Sequence, residues 1–420
     1  PLAALEVNVR GAEHAADVAA LTPARRLVHV STCFVAGRVD GDVPETLAPG
    51  VSPNGTRFDV DAETLALESA CHAVNDREGG AKRPAARRGR IEVGTQRAQA
   101  LGWPNLYTYT KGLAEHALGR RDDVALTLVR PSIVECARAF PFPGWNEGLN
   151  TSGPIVWMCS GYAWKVPMRV DNTFDVVPVD TVARGLTLAV ADALTDRAAP
   201  VYQLASGDHH RFTFDRALDL TALKVRKGYV PSGVSTAERA LLTHLDSTAL
   251  DRGADRSLLL PTAQRATRWL RDAFKRFDGE RHLPADVDPE ARARLTERAR
   301  RASLRLNKTS MLLKSVEQLW RSYQPFIHDH DYRFATGNVR ARSAALSAAE
   351  RARFGWDLPS LDWRRYWMEI EIPGLDRWSL PLLRGKEVPD DAGFDLGADP
   401  PAAVPATDPV REPLAAGGFE

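Results

Sequence analysis

The fold is decided by an apolar, β-rich run that reads LVHVS at residues 27–31 and continues as TCFVAG at residues 32–37. A short run of branched residues that ends in small polar residues is typical of a strand leading into a loop. Two more runs of this kind follow, VALTLV at residues 124–129 and PVYQLA at residues 200–205. Helical patterns lie between them. This alternation predicts an α/β fold with a doubly wound parallel sheet that has helices on both faces.

Helical periodicity marks the segments around these strands. Loops are predicted at residues 38–60 and at residues 77–90, because the latter segment is basic and Gly-rich. Asp180 is the predicted N-cap of one helix. The predicted helices are residues 1–20, 61–74, 95–101, 107–118, 179–194, 288–305 and 307–320.

The bulk composition is that of a globular protein of more than one domain. The 420 residues are 44% hydrophobic, enough for a large core, and a net charge of +1 argues against a nucleic-acid partner. The four cysteines form no C-x-x-C pair and no Cys/His metal spacing, so reduced thiols and no metal are expected. With no leader pattern at the start, we expect a cytoplasmic protein.

Tyr107 and Lys111 carry the first candidate chemistry. Residues four apart on a helix share one face, so these two side chains are neighbours. An ammonium group favours the phenolate form of a nearby tyrosine, which makes the phenol a better proton relay. Thr32, at the end of the first strand, could donate a hydrogen bond to a carbonyl oxygen as negative charge develops on it. The alternatives are an exposed helix pair and a turn-forming threonine.

Three segments resemble extended short-chain dehydrogenases: residues 28–37 (VHVSTCFVAG), residues 107–111 (YTYTK) and residues 129–134 (VRPSIV). PNLYTYTK at residues 104–111 and PFPGWNEG at residues 141–148 are similar to fatty acyl-CoA reductases. The resemblance implies a Rossmann-like sheet and the reduction of a long-chain acyl-CoA thioester, with fatty aldehyde or alcohol as the product. It also implies a nicotinamide cofactor, expected to be NADPH, with NADH left open.

The same resemblance assigns roles to individual residues. Thr32 would hydrogen-bond the substrate carbonyl, Tyr107 would be the acid, and Lys111 would tune Tyr107 and hold the nicotinamide ribose. Asn8 matches a helix position near the cofactor, although a helix asparagine is usually only polar surface. The strand end that would lie against the nicotinamide contains Pro131, Ile133 and Val134.

A second resemblance lies towards the other end of the chain. FATGN at residues 334–338, FGWD at residues 354–357 and LDWRRY at residues 361–366 resemble the C-terminal "male sterility" domain of the same reductases. An ordinary aromatic core is the alternative explanation. The predicted divisions are a reductase domain with a substrate-binding segment at residues 1–212, a helical connection at 213–330, the C-terminal domain at 331–385 and a disordered tail at 386–420.

The Gly-rich phosphate loop of the family is not found in residues 1–420, which contain neither G-x-x-G-x-x-G nor G-x-G-x-x-G. We therefore expect a partial sheet whose first strands are missing, and a chain that is N-terminally truncated and inactive as it stands. A thioester reductase acting on carrier-protein-bound chains is one alternative. A catalytically dead lipid-binding or interaction protein is another.

The Arg-rich stretch at residues 292–305 has three interpretations. It could be a solvated helix face, a contact for the phosphates of acyl-CoA, or a peripheral contact with an anionic membrane surface. Spacing alone does not choose among them.

Overall fold

The structure is a computed structural model, and it describes residues 1–148, 152–153, 156, 165–166, 168–227, 248–249, 259–284, 286–383 and 387. These residues fall into two compact units. The first draws on Pro1–Trp164, Thr173–Ser247 and Tyr332–Glu420. The second draws on Lys165–Asn172 and Thr248–Asp331. The predicted tail at residues 386–420 lies outside the described residues, apart from Glu387.

The strands within the described residues are β1 (Arg26–Val30), β2 (Gly41–Val43), β3 (Ala125–Pro131), β4 (Ile133–Glu135), β5 (Lys165–Val166), β6 (Val176–Pro178), β7 (Val201–Leu204), β8 (Thr248–Ala249) and β9 (Tyr332–Phe334).

The helices are α1 (Leu2–Leu5), α2 (Gly11–Ala20), α3 (Val60–Arg77), α4 (Pro84–Ala100), α5 (Leu106–Gly119), α6 (Val179–Leu194), α7 (Phe214–Arg226), α8 (Leu259–Arg276), α9 (Gly279–His282), α10 (Pro289–Gln324), α11 (Gly337–Ala344), α12 (Ala348–Phe354), α13 (Trp363–Arg365) and α14 (Ile372–Leu383). Short π-helical segments at Glu6–Arg10, Pro325–Asp329 and Tyr366–Glu371 and 3-10 turns at Cys33–Ala36 and Leu358–Ser360 complete the set.

The central sheet of the first unit is parallel and has the order β1-β3-β7. The three predicted strands are therefore confirmed, each within two residues of its predicted bounds. Leu27 and Leu126 are register partners and pack on a cluster formed by α1 to α5. Val28 follows Leu27 by one residue, and Val129 follows Leu126 by three. Both pack on a second cluster, on the opposite face of the sheet. Because successive strand side chains point to opposite faces, helices cover both sides of the sheet, as the α/β prediction requires.

The second cluster contains the aromatic C-terminal segment. Trp356, Leu358, Leu361 and Tyr366 pack with Val129 and other side chains of the sheet in one buried group. These residues thus form an aromatic core, as the alternative explanation proposed. The four predicted divisions of the chain stay a prediction, although residues 332–383 share a compact unit with the sheet.

The second unit is dominated by helices α8 and α10. Asp288 begins α10 as predicted, since its carboxylate accepts a hydrogen bond from the Ala291 backbone N–H. The two helices predicted at residues 288–305 and 307–320 are one continuous helix of 36 residues. Among the described residues, no helix is both long enough and apolar enough to cross a membrane.

Two local predictions were wrong. The predicted loop at residues 77–90 is helical from Pro84, because proline suits the first turn of a helix and Gly89 lies close against Val74. Asp180 does not cap α6, whose N-cap is Pro178. Its carboxylate instead accepts hydrogen bonds from the backbone N–H groups of Arg138, Ala139 and Phe140.

Candidate active site

Thr32 lies where β1 ends at the carboxyl edge of the central sheet. Its backbone is extended and its side chain is buried, and it caps the 3-10 turn that follows by accepting from the Phe34 N–H at 3.4 Å. The Thr32 hydroxyl also donates to the carbonyl oxygen of Pro131 at 3.4 Å. The hydroxyl is therefore held between the ends of two neighbouring parallel strands, where open α/β sheets bind ligands.

Tyr107 and Lys111 come to this edge on helix α5. Asn105 caps the helix by accepting from the Thr108 N–H at 2.9 Å, which fixes where its first turn begins. The Tyr107 side chain lies beside Thr32, whose hydroxyl acts to lower the pKa of the phenol, while 53% of the residue stays exposed. The Lys111 ammonium, one turn later, donates to the Val30 carbonyl oxygen at 3.3 Å. The three residues predicted from the sequence thus meet at one strand end.

The pKa shifts of this pair have burial as their main cause. Burial raises the pKa of the Tyr107 phenol above its ordinary value, and the hydrogen bond with Thr32 opposes the rise. Burial lowers the pKa of the Lys111 ammonium, and the negative charge of Glu115 opposes that shift. The expected lowering of the phenol pKa by Lys111 is not seen, since the pKa of Tyr107 is raised and Lys111 is not among the causes of the shift.

Asn8 reaches the same helix from the side. It lies in the π-helical segment Glu6–Arg10, and its amide Nδ2 donates to the Thr110 hydroxyl at 2.9 Å. Thr110 is fully buried and one residue before Lys111. This contact gives Asn8 a part in orienting α5, and its predicted contact with a cofactor stays a prediction.

The predicted nicotinamide side of the site is the segment after β3. Pro131 is buried and ends β3, whereas Ile133 is partly exposed and Val134 is 36% exposed in the short strand β4. Apolar side chains that stay accessible at a strand end suit a flat aromatic ring. Their role against the nicotinamide stays a prediction.

An ion pair that the sequence analysis missed connects α5 to β3. Arg130 donates to both carboxylate oxygens of Glu115 at 2.9 and 2.6 Å, and the two side chains are only 6% and 2% exposed. A further Arg130 N–H donates to the Thr46 carbonyl oxygen at 3.0 Å. Bidentate pairs of this kind fix geometry strongly. Sequence spacing does not reveal the pair, because Glu115 and Arg130 belong to different elements.

Asp175 forms a second buried anchor at this edge. Its carboxylate accepts from the Ser132 hydroxyl at 2.8 Å and from the backbone N–H groups of Ser206 and Gly207 at 2.8 and 3.0 Å. Burial raises the pKa of this carboxyl, and the hydrogen bonds oppose the rise. The residue connects the turn after β3 to the turn after β7, and no sequence pattern pointed to it.

The C-terminal motifs support the loop that follows Thr32. Strand β9 pairs in parallel with β2, and the Phe334 ring meets the Phe34 ring edge to face at 5.3 Å. The Tyr332 hydroxyl donates to the Gly37 carbonyl oxygen at 2.8 Å. A segment 300 residues downstream thereby helps to hold the turn that carries the candidate hydroxyl.

The motif at residues 141–148 is a packing motif in this structure. Gly144 has a positive φ of 82° and lies against the N-terminal part of α14. A Cβ atom at Gly374 would come within 2.6 Å of the Gly144 carbonyl oxygen, so only glycine allows this approach. Asn146 extends the contact by donating to the Ser379 hydroxyl at 3.3 Å.

The donor set at the sheet edge fits a nicotinamide riboside and a carbonyl substrate. Tyr107 is 53% exposed, and one contact of the Lys111 ammonium is the 3.3 Å bond to Val30, which leaves N–H groups for ribose hydroxyls. Threonine and tyrosine hydroxyls that lie beside each other can both hydrogen-bond to one oxygen atom of a ligand. These features are the ones expected of a reductase site of the extended short-chain dehydrogenase class.

Comparison with known proteins agrees with that class. Residues 2–186 match the family described as male sterility protein, an NAD-binding domain. The sheet domain is therefore similar to this family, and the relatives that the chain matches are fatty acyl-CoA reductases.

Two relatives illustrate the homology. Fatty acyl-CoA reductase 2, chloroplastic, of Arabidopsis thaliana is 29% identical over 407 residues, which cover 91% of this chain and 59% of the relative. The alcohol-forming fatty acyl-CoA reductase of Simmondsia chinensis is 30% identical over 191 residues, which cover 44% of this chain and 38% of the relative. The matches thus span roughly two fifths to three fifths of these proteins.

One solved structure extends over most of the chain. The terminal R domain from the myxalamid PKS-NRPS biosynthetic pathway has a TM-score of 0.41 at 13% identity, and the match covers 91% of this chain and 65% of that chain.

Proposed function

We propose that the protein containing these 420 residues reduces long-chain fatty acyl-CoA thioesters with NADPH, giving a fatty aldehyde or alcohol. The observation that carries the proposal is that Thr32, Tyr107 and Lys111 meet at one strand edge, where the Thr32 hydroxyl donates to the Pro131 carbonyl oxygen and the Lys111 ammonium to the Val30 carbonyl oxygen. The family match of residues 2–186 and the fatty acyl-CoA reductases among its relatives support the substrate class.

Thr32 and Tyr107 would act on the carbonyl oxygen of the thioester. When bound, the nicotinamide supplies the hydride that the carbonyl carbon accepts. The Thr32 hydroxyl would donate a hydrogen bond to the oxygen as negative charge develops there. Tyr107, whose phenol is protonated at neutral pH as in any ordinary tyrosine, would transfer its proton to the same oxygen. The product of this step is a hemithioacetal, which collapses to an aldehyde and the free thiol of CoA.

Lys111 would hold the ribose hydroxyls of the cofactor through N–H donors other than the one used on Val30. The Glu115–Arg130 pair keeps α5 in place, so that Lys111 and Tyr107 stay at the strand edge. Asn8 would support the same helix through Thr110.

Free acyl-CoA is favoured over a carrier-bound chain by the C-terminal segment. Residues 332–383 form part of the core of the first unit and support the loop after Thr32. That segment resembles the C-terminal part of fatty acyl-CoA reductases. The cytoplasmic location stays a prediction.

The test uses the protein expressed from its gene with its flanking coding sequence. NADPH and NADH oxidation would be followed with palmitoyl-CoA, palmitoyl carrier protein and palmitaldehyde, and products identified by mass spectrometry. We expect turnover with palmitoyl-CoA and a preference for NADPH. Turnover only with the carrier-bound chain would replace acyl-CoA as substrate, and no turnover of any thioester would overturn the proposal.

A further inference from the structure

Helix α8 in the second unit is strongly amphipathic. Its described side chains, residues 265–276, read RATRWLRDAFKR. The apolar members are Ala266, Trp269, Leu270, Ala273 and Phe274, at the i, i+3, i+4, i+7 and i+8 positions that form one helical stripe. Such a stripe normally faces a protein core.

The stripe of α8 is instead open to solvent. Trp269 is 70% exposed, Leu270 is 38% exposed and Phe274 is 39% exposed. Helix α10 packs on a neighbouring side, where Thr267 and Arg271 are half-buried and the Ser303 hydroxyl donates to the Arg271 carbonyl oxygen at 3.3 Å. An exposed patch of large apolar side chains marks an interaction surface.

The charge beside the stripe selects the kind of partner. Residues 265–276 contain five basic residues and one acidic residue, Asp272, which accepts a hydrogen bond from Arg271 at 2.9 Å. Arg265 and Arg276 flank the stripe beside Trp269, Lys275 lies on the opposite side of the helix, and all three are exposed. Tryptophan, leucine and phenylalanine on one face with arginine and lysine on the other is the composition of helices that lie in a membrane interface.

The Arg-rich start of α10 does not share this composition. Arg300 and Arg301 both donate to Glu297, at 2.7 and 2.8 Å, and Arg294 pairs with Glu290 at 3.3 Å. These arginines form ion pairs along a solvated helix face, which favours the first of the three interpretations of residues 292–305.

We propose that α8 binds the surface of a bilayer that contains anionic lipids. The helix lies in the plane of the interface, with Trp269, Leu270 and Phe274 among the upper acyl-chain carbons and the basic residues among the phosphates. This surface is independent of the strand-edge site, and binding requires neither cofactor nor acyl-CoA.

The test is cosedimentation of the full protein with vesicles. Vesicles of phosphatidylcholine alone are compared with vesicles containing about 30 mol% phosphatidylserine. We expect binding to the anionic vesicles, and a loss of at least about tenfold in Trp269→Glu/Phe274→Glu, because two charged side chains then replace the inserted rings. Leu65→Glu, at a 64% exposed position of α3, is the matched control and should bind like the wild type.

A second variant tests the charge without touching the stripe. Arg265→Gln/Lys275→Gln/Arg276→Gln should weaken binding to anionic vesicles at least about tenfold. Raising the salt from about 0.1 M to about 0.5 M should weaken wild-type binding in the same sense. Equal binding of wild type and both variants would overturn the proposal. The proposal would also be overturned if the wild type does not bind anionic vesicles. If the wild type is then a dimer and Trp269→Glu/Phe274→Glu is a monomer, the stripe joins two copies of the chain.

Discussion

The polar side chains at the beginning and in the middle of helix α5 differ in burial and in how many of their hydrogen-bonding groups are paired. Tyr107 and Lys111 keep donors accessible at the edge of the sheet, and Tyr107 is 53% exposed. One turn after Lys111, Glu115 is buried and both its oxygens are bonded to Arg130. The Glu115–Arg130 pair fixes the position of the helix, whereas Tyr107 and Lys111 have donors that can bind a ligand. Substitutions of Tyr107 or Lys111 should therefore lower activity, whereas substitutions of Glu115 or Arg130 should lower the free energy of unfolding.

Tyr107→Phe gives the largest expected effect. The variant lacks the proposed proton donor, so kcat with palmitoyl-CoA should fall about 10²–10⁴-fold. The unfolding free energy should change by less than about 0.5 kcal/mol, since the residue as a whole is 53% exposed. Steady-state kinetics and urea denaturation measure the two quantities. A variant with near wild-type kcat would remove Tyr107 from the mechanism.

Arg130→Met should act on stability. Removing one partner leaves the Glu115 carboxylate buried without its counter-charge, at an expected cost of about 3–5 kcal/mol in the free energy of unfolding. The double variant Glu115→Leu/Arg130→Met is the control and should recover most of that loss. Urea denaturation followed by circular dichroism gives the comparison. A single variant that loses under about 1 kcal/mol would mean that water solvates the pair.

The alkaline limb of the pH profile should belong to Lys111. Its pKa is lowered by burial, so the ammonium loses its proton below the ordinary lysine pKa, while the raised pKa keeps the Tyr107 phenol protonated to higher pH. The KM for NADPH should therefore rise with pH as Lys111 becomes neutral. In Lys111→Arg, which stays charged, this limb should move to higher pH by about one unit or more. A limb that stays in place would assign it to another group.

Tyr109→Phe gives the smallest effect and serves as the counterpart of Tyr107→Phe. The Tyr109 hydroxyl is buried and donates to the Glu63 carboxylate on α3. Losing that bond should cost about 1 kcal/mol of unfolding free energy, with kcat within about twofold of the wild type. A large loss of kcat would show that the buried face of α5 also governs the reaction.

Much of the candidate site could be predicted from local sequence. The strand at residues 27–31, the four-residue spacing of Tyr107 and Lys111 and the run that ends at Pro131 placed three side chains at one edge, and the structure brings them there. Asp175 and Glu115 escaped prediction because their partners are on other elements. A buried carboxylate is recognisable only when its donors are known.

The sequence by itself determined the alternation of strands and helices, the shared face of Tyr107 and Lys111, and the start of α10 at Asp288. These properties follow from backbone geometry over one or two turns, so a short window of residues suffices. Only the tertiary structure decided that the aromatic C-terminal segment packs on the sheet, that Asp180 binds the backbone of residues 138–140, and that the stripe of α8 stays exposed. Burial depends on contacts between residues far apart in the chain, and no local pattern records them.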